Sequence, residues 1–583
     1  MFSDRFFFGK ENREGGIQIS PDTLYSEEQG YGFVTDSNIP KDENLRIPDL
    51  CNNYVLPSCY VDEKVMDIMQ DEQGCYIDSA AVCRTLSAEE GRLIPLYFRV
   101  NVPRSGNYTV KLKAYGSGEV LVFGATRRLM FKGQLKNGEN EISVVQNVCD
   151  IIPRGITTVR NRRSIDLTIL GADVKLSELE ISICSCPTLY ICGDSTVTDQ
   201  SAEMPYSPGT SYSGWGQMLP VHFPMKLAVS NHAHSGQTTD SFRSEGHYSI
   251  IQACIKPGDY IMFQFAHNDQ KLDYLKAYEG YYERLKEYIK EARQYGAYPI
   301  IITPLARNTW KADGSGYNDL LEEYAEACFK LGTQMNVPII DLHKFSMEEI
   351  LRDGLESSKR FYFPKDYTHT NDYGAFKMAG YIADEIKNFK KASSNNPYAR
   401  LAEMVTKNET SWTVDTIPVV PELPERYKKG ENKEKSAQII LERPDDSLLR
   451  AEALDMVIKT AKFFPTNVFN DLYDDIVGHE WFAGAVQCAY QNGIIPEGMI
   501  ENKLFRPEEP INLEDFMCFL MGAYMSRKGL PIEKKCSFDK DTKDYSIKYI
   551  RAAVSLGLLK DGANLASCIK RKNAFDLCNS LNL

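Results

Sequence analysis

No apolar run in this sequence approaches the roughly 20 residues needed to cross a bilayer, which excludes a membrane-spanning helix. Basic runs are equally short, with 67 Lys and Arg against 80 Asp and Glu. The resulting net charge of -13 and isoelectric point near 5.3 repel phosphate, which argues against nucleic-acid and anionic-membrane partners. The 15 cysteines are odd in number and show no repeated Cys-x-x-Cys. Cys184 and Cys186 alternate on one face of an expected strand, as buried free thiols do, so neither a disulfide framework nor a metal centre is expected. The first residues, MFSDRFFFGKENREGG, lack the basic start, long apolar stretch and cleavage site of a leader. The chain as written is therefore expected in the cytoplasm, with the cell surface as the alternative. A Gly-x-Ser-x-Gly elbow is also missing, which sets aside an ordinary α/β-hydrolase.

What is present divides into parts, and 583 residues exceed one core and suggest about three domains. Residues 1–185 read as all-β. LYFRVNVPRSGNYTVKLKAYGSGEVLVFG alternates apolar and polar residues, with turns expected at Pro103–Gly106 and near Gly116–Gly118, and ADVKLSELEISIC reads as a closing strand. Short strands at that spacing predict a β-sandwich, and the layout resembles the jelly-roll, galactose-binding-like accessory modules of carbohydrate-active enzymes. Residues 186–393 switch to strand–helix alternation. The apolar runs at 188–192, 225–230, 259–265, 298–304 and 337–342 have the near-continuous apolarity of strands buried on both faces of a parallel sheet. YLKAYEGYYERLKEYIKEARQYGA and YNDLLEEYAEACFKLGTQMN carry helical spacing between them. This predicts a three-layer α/β domain with a flavodoxin-like sheet.

Residues 394–445 combine prolines with a charge run and read as a linker. From 446 to 583 the chain is helical and repetitive. Residues 481–498 align with 545–562 at an offset of 64, placing Gly493 on Gly557, Gly498 on Gly562 and Trp481 on Tyr545, and 448–460 is a partial earlier copy. This region resembles the S-layer homology module, a family that binds secondary cell-wall polymer. Its arginine appears as Arg450 and Arg571, while Leu513 replaces it in the middle copy. With that arginine lost and no export signal, a structural or interaction role is favoured over wall anchoring.

In a parallel sheet, functional groups collect beyond the carboxyl ends of the strands. After the first strand comes Gly193-Asp194-Ser195, after the second NHAHSG with Gly236, and after the third AHND with Asn268. A later loop, FPKDYTHTNDYGA, carries Asp366 and His369 before a helix expected near Asn371. Gly-Asp-Ser alone favours a turn serine; the four loops together supply what acyl transfer needs. A serine hydroxyl requires a base, and histidine has the appropriate pKa. Of the eight histidines, only His369 has a carboxylate three residues earlier in a loop, so Asp366 is placed to fix its tautomer. Backbone N–H groups of Ser195 and Gly236, with the Asn268 amide, would form an oxyanion hole. Asn268 also reads as a helix N-cap, Trp215 in GWGQ as a substrate-pocket residue or a core or rim aromatic, and His267 as either lining the substrate pocket or supporting its loop.

These blocks resemble the SGNH (GDSL-like) hydrolase superfamily over residues 188–390, in its chain order. GDSTVTD, GWGQMLP, QFAHND and DYTHTNDYGA together are similar to rhamnogalacturonan acetylesterases of carbohydrate esterase family 12. Carried over by position, the resemblance makes Ser195 nucleophile, His369 base and Asp366 its orienting acid, with Ser195, Gly236 and Asn268 in the oxyanion hole. Two departures stand out: Ala266 where the family usually has glycine, and Gln237 where relatives often carry arginine. The resemblance implies a cofactor-free, metal-free serine esterase acting on acetylated pectin oligosaccharides. The alternatives are an esterase for another acylated glycan, a lipid or a thioester, or a non-catalytic glycan- or wall-binding scaffold.

Overall fold

The computed structural model describes residues 3–35, 67–85, 91–152, 159–161, 163–200, 202, 205–206, 211–310, 316–364, 366–389, 396–406, 444–461, 463, 472–476, 480–529, 536–540, 542–560 and 562–581. Among them no helix is long and apolar enough to cross a membrane. Two compact units emerge. One comprises Met1–Ala306, Leu321–Pro364 and His369–Glu422; the other comprises Arg307–Leu320, Lys365–Thr368 and Leu423–Leu583.

The first unit begins with a connected network of nine strands: β1 (Ser3–Phe7), β2 (Ile17–Gln18), β3 (Tyr31–Phe33), β4 (Ile68–Gln70), β5 (Cys75–Ile77), β6 (Leu96–Asn101), β7 (Gly106–Gly124), β8 (Arg128–Val148) and β9 (Ser164–Cys184). All pairs are antiparallel except β1 with β2. One short helix, Ser79–Thr85, interrupts the expected all-β pattern. The turn expected at Gly116–Gly118 is instead a register shift inside β7, where Gly116 pairs with Gly138 and Gly118 with Leu135. Both glycines have positive φ (144° and 83°), so the strand bends there and continues. Alternation also explains the Phe-rich start. Phe6 and Phe8 enter the core, where Phe8 meets Phe98 edge-on at 5.0 Å, while Phe7 lies beneath the Arg5 guanidinium.

The central sheet contains β10 (Thr188–Gly193), β11 (Ala228–Asn231), β12 (Tyr260–Gln264), β13 (Tyr298–Ile302) and β14 (Ile339–Ile340), all parallel, in the order β11-β10-β12-β13-β14. Each matches one expected apolar run. β10 therefore lies between β11 and β12, and the loops leaving these three neighbours share one end of the sheet. Helices Gly280–Gln294 and Glu322–Met335 occupy the two periodic stretches, the second ending on left-handed Asn336 (φ 49°). Asn371 caps helix Asp372–Asn388 by accepting the Gly374 N–H. Of the expected linker 394–445, only 396–406 and 444–445 are among the described residues, and the first stretch contains a helix, Pro397–Met404, with Pro397 at its first position and Asn396 as cap.

The second unit contains helices Arg450–Thr460, Ala483–Gln491, Leu513–Lys528, Ile547–Ser555 and Arg571–Ser580 around a core that includes Leu454, Phe505, Phe519 and Ile550. The helices Ala483–Gln491 and Ile547–Ser555 stand at the 64-residue offset, and Gly493 and Gly557 are both left-handed (φ 64° and 73°). Three helix starts close a ring through isolated bridges: Leu449 with Pro510, Asn512 with Cys568, and Lys570 with Ser447. Two arginines follow the ring. Arg450 Nη2 is 3.2 Å from Asp515 Oδ2, and Arg571 Nη2 donates to Glu452 Oε1 and Oε2 at 2.8 and 2.6 Å. Leu513, at the third start, leaves that position without a guanidinium. Arg571→Ala strips the buried Glu452 of its guanidinium, leaving the carboxylate, among the described residues, only the Leu449 N–H, and is expected to destabilise this unit by about 3–5 kcal/mol, read as a lower urea midpoint.

Candidate active site

β10 ends at Gly193, and the chain turns through Asp194-Ser195-Thr196. Ser195 is half-buried and its Oγ–H points to His369 Nε2 at 2.7 Å. The two residues are 174 positions apart and meet because the loop before helix Asp372–Asn388 reaches the end of β10. Tyr212 stands edge-on to the His369 ring (5.8 Å, 88°) and stacks on Phe363 (3.6 Å), while Phe363 N–H donates to the His369 carbonyl (2.9 Å). His222, His232 and His247 cannot compete as bases at neutral pH: burial lowers them to about 4, 3 and 3. Asp366 is buried in the second unit, where its Oδ1 accepts the Thr368 N–H at 2.8 Å.

The residue beside Ser195 has a separate task. Asp194 is fully buried and pairs with His267, whose Nδ1 lies 3.0 Å from Asp194 Oδ2 and whose Nε2 lies 2.9 Å from the Leu305 carbonyl. Both ring nitrogens face oxygens, so both donate only when the ring carries a proton. Burial alone would raise the Asp194 carboxyl, but the His267 charge and hydrogen bonds from His267 and Thr196 hold it below the usual carboxylate range. His267, expected either to line the pocket or to support its loop, is 2% exposed and braces the loop that carries Ser195. Trp215, read as a core or rim aromatic or a pocket residue, is wholly buried, and its Nε1 donates to Gln264 Oε1 at 2.7 Å.

Gly236 and Asn268 leave the two strands that flank β10. Gly236 is exposed and left-handed (φ 83°), the conformation that justifies glycine there. Asn268 is half-buried and makes no cap hydrogen bond; its Nδ2 donates to the Gln237 carbonyl at 3.0 Å, joining the two loops. Gln237, at the departure from arginine, is satisfied internally: Nε2 donates to Glu245 and Oε1 accepts from Ser241, at 2.7 and 2.8 Å. Ala266, the other departure, has φ 123°, a region glycine tolerates and alanine does not. Sequence reasoning missed Asp269, which accepts from Thr239 N and Ala266 N (2.8 and 3.2 Å) and ties the same loops from below. Gln200 was missed too; its Nε2 donates to the Ser195 carbonyl at 2.8 Å. The Asp269–Thr239 link spans 30 positions, so no local signal marks that pair.

A serine–histidine pair at the carboxyl end of the first strand of a 2-1-3-4-5 parallel sheet, flanked by loops offering polar donors, defines an ester hydrolase of the three-layer α/β type. Residues 191–375 match the GDSL-like lipase/acylhydrolase family, and the chain belongs to that family. It is 34% identical over 207 residues to the probable rhamnogalacturonan acetylesterase YesY of Bacillus subtilis, covering 34% of this chain and 92% of the relative. Similarity to rhamnogalacturonan acetylesterase RhgT of the same organism is 33% over 215 residues, 34% of this chain and 89% of that one. A longer match, 30% over 389 residues, takes in 66% of this chain and 90% of the uncharacterized esterase YxiM, also from B. subtilis. Residues 472–517 match the S-layer homology domain. That match points to the cell surface, the alternative to the cytoplasmic expectation.

Two outcomes follow from the loop geometry. Ala266→Gly releases roughly 1–3 kcal/mol of backbone strain against roughly 0.5–1 kcal/mol of added chain entropy, so its melting temperature should rise. Asp269 is raised from 3.8 to about 7, chiefly by burial, with Asp194 adding to the shift against the Thr239 and Ala266 hydrogen bonds. Between those values the folded chain holds a proton that the unfolded chain has released. The Asp269 contribution is therefore full below about pH 4 and lost as pH rises through about 7. Melting curves from pH 4 to 8 should decline less steeply with pH in Asp269→Asn than in wild type.

Proposed function

We propose that the protein removes O-acetyl groups from acetylated rhamnogalacturonan oligosaccharides through an acetyl-Ser195 intermediate. The observation that carries this is the 2.7 Å approach of Ser195 Oγ to His369 Nε2, and the acetylesterase relatives supply the substrate class. As Oγ attacks the acetyl carbonyl carbon, His369 Nε2 takes the hydroxyl proton. The developing oxyanion is held by the backbone N–H groups of Ser195 and Gly236 and by the Asn268 amide. Asp366, three residues before His369, fixes its tautomer and stabilises the imidazolium. Collapse of the tetrahedral intermediate breaks the bond to the sugar oxygen, which leaves with the His369 proton. A water then gives its proton to His369, attacks the acetyl carbon and releases acetate, and Ser195 recovers its hydrogen. No metal or organic cofactor enters this scheme.

The domain plan belongs to the same reading. Residues 1–185 form an accessory module whose long bent strands fold over as a sandwich, 186–393 the catalytic domain, 394–445 a linker and 446–583 a helical repeat. The S-layer homology match supports secondary cell-wall polymer as the partner of the repeat, at the cell surface.

Acetate release from acetylated rhamnogalacturonan oligosaccharides tests the proposal. Ser195→Ala is expected to lower kcat by roughly 10^4-fold or more. Turnover of a small aryl acetate without the oligosaccharide would leave the serine chemistry standing and remove the pectin assignment. Equal rates in wild type and Ser195→Ala would remove the nucleophile assignment.

A further inference from the structure

The hairpin joining β7 to β8 does not end in solvent. Its tip, Ala125–Arg128, is buried, and two of its non-glycine residues are left-handed, Ala125 at φ 52° and Arg127 at φ 68°. Such backbone costs roughly 1–3 kcal/mol per residue and persists where surrounding contacts over-determine it. The Arg127 side chain is wholly buried, which adds a desolvation cost that only well-placed acceptors offset.

The acceptors are specific. Arg127 Nε donates to the Gln200 carbonyl at 2.9 Å. Nη2 donates to the Tyr212 carbonyl at 2.7 Å, to Ser213 Oγ at 2.8 Å and to Asp372 Oδ1 at 3.1 Å. Each leads to a reacting residue. Gln200 Nε2 holds the Ser195 carbonyl, and Tyr212 presents its edge to the His369 ring. Ser213 is doubly joined to Thr370, the residue after His369: its N–H donates to the Thr370 carbonyl (3.0 Å) and its carbonyl accepts from Thr370 Oγ1 (2.6 Å). Ser213 Oγ–H also donates to Asp372, which begins the helix after His369. Arg128 fastens the opposite side: its Nε donates to Asp199 Oδ2 at 2.8 Å and its Nη2 to the Asn231 carbonyl at 2.7 Å. Asn231 Nδ2 in turn holds the Val197 carbonyl, two residues after Ser195, at 2.8 Å.

One guanidinium from the N-terminal network thus grips the segments on either side of the nucleophile–base pair. We infer that Arg127 is a positioning residue that sets His369 against Ser195, so that ester hydrolysis by this chain requires its N-terminal strands. The inference rests on the reading of Ser195 and His369 as nucleophile and base. Arg127 itself touches neither reacting atom. Its planar fork reaches two directions at once, which a lysine ammonium cannot reproduce while keeping its charge opposite Asp372.

The test uses the full chain carrying Arg127→Lys, assayed on a small aryl acetate and on acetylated oligosaccharide, with the His369 ring followed by NMR in 13C-histidine-labelled protein. A misplaced base is expected to lower kcat on the order of 10- to 100-fold on both substrates alike, with KM little changed and the His369 signal displaced. Arg163→Ala, which removes a half-exposed pair with Asp150 before β9, should keep the wild-type kcat. Full kcat with only a lower melting temperature would overturn the inference and reduce the hairpin to an adhesive contact. A loss confined to the oligosaccharide would overturn it in favour of a glycan-contact role for the N-terminal strands. If Arg127→Lys does not fold, Ser213→Ala carries the same comparison, since it removes one link from Arg127 to Asp372. The ring signal decides positioning even if wild type turns over neither ester, an outcome that would sink the esterase reading instead.

Discussion

The hydrogen bond between Ser195 Oγ and His369 Nε2 joins residues 174 positions apart, and much of the first unit is arranged so that this one distance holds. Neither residue is fixed by its own segment. Ser195 rides on a turn whose preceding residue, Asp194, is ionised in the interior against His267. His369 lies in a loop stiffened by stacking of Phe363 on Tyr212 and by the Asn371 cap. Parallel strands make this economical, because β10, β11 and β12 deliver three loops to one edge without any of them crossing another.

Central-domain strands were legible because full burial on both faces demands uninterrupted apolar residues. The approach of Ser195 to His369 was legible for a different reason: each sits in a short block whose chemistry is local. What escaped were the pairings that no such block marks. Asp194 and His267 are 73 positions apart, and Arg127 and Asp372 are 245 apart. Nothing near either partner marks it as half of a pair. Trp215 read equally as a core or a rim aromatic because Gln264, which satisfies its indole N–H, comes from a distant strand. The N-terminal strands misled in another way. A bulge and a hairpin turn draw on the same residues, so Gly116–Gly118 reads as a break while β7 runs on through it.

Charge is distributed in keeping with these constraints. Against a net charge of -13, several cations are taken inside: Arg99 against Asp166, Arg127 against Asp372, Arg128 against Asp199 and Arg571 against Glu452. Each forms at a place where two distant segments must keep register. Hydrophobic packing tolerates small slides; a guanidinium with several fixed acceptors does not. Buried ion pairs contribute little net stability, and their value here lies in geometry.

The ring in the second unit has a bearing on how the chain is made. Its three bridges and the Arg571–Glu452 pair close a circle in which the first helix start contacts the last, 119 positions later along the chain. During vectorial synthesis, Glu452 and helix Arg450–Thr460 emerge with no Arg571 to neutralise them. The Arg571–Glu452 pair therefore cannot form until helix Arg571–Ser580 has been synthesised.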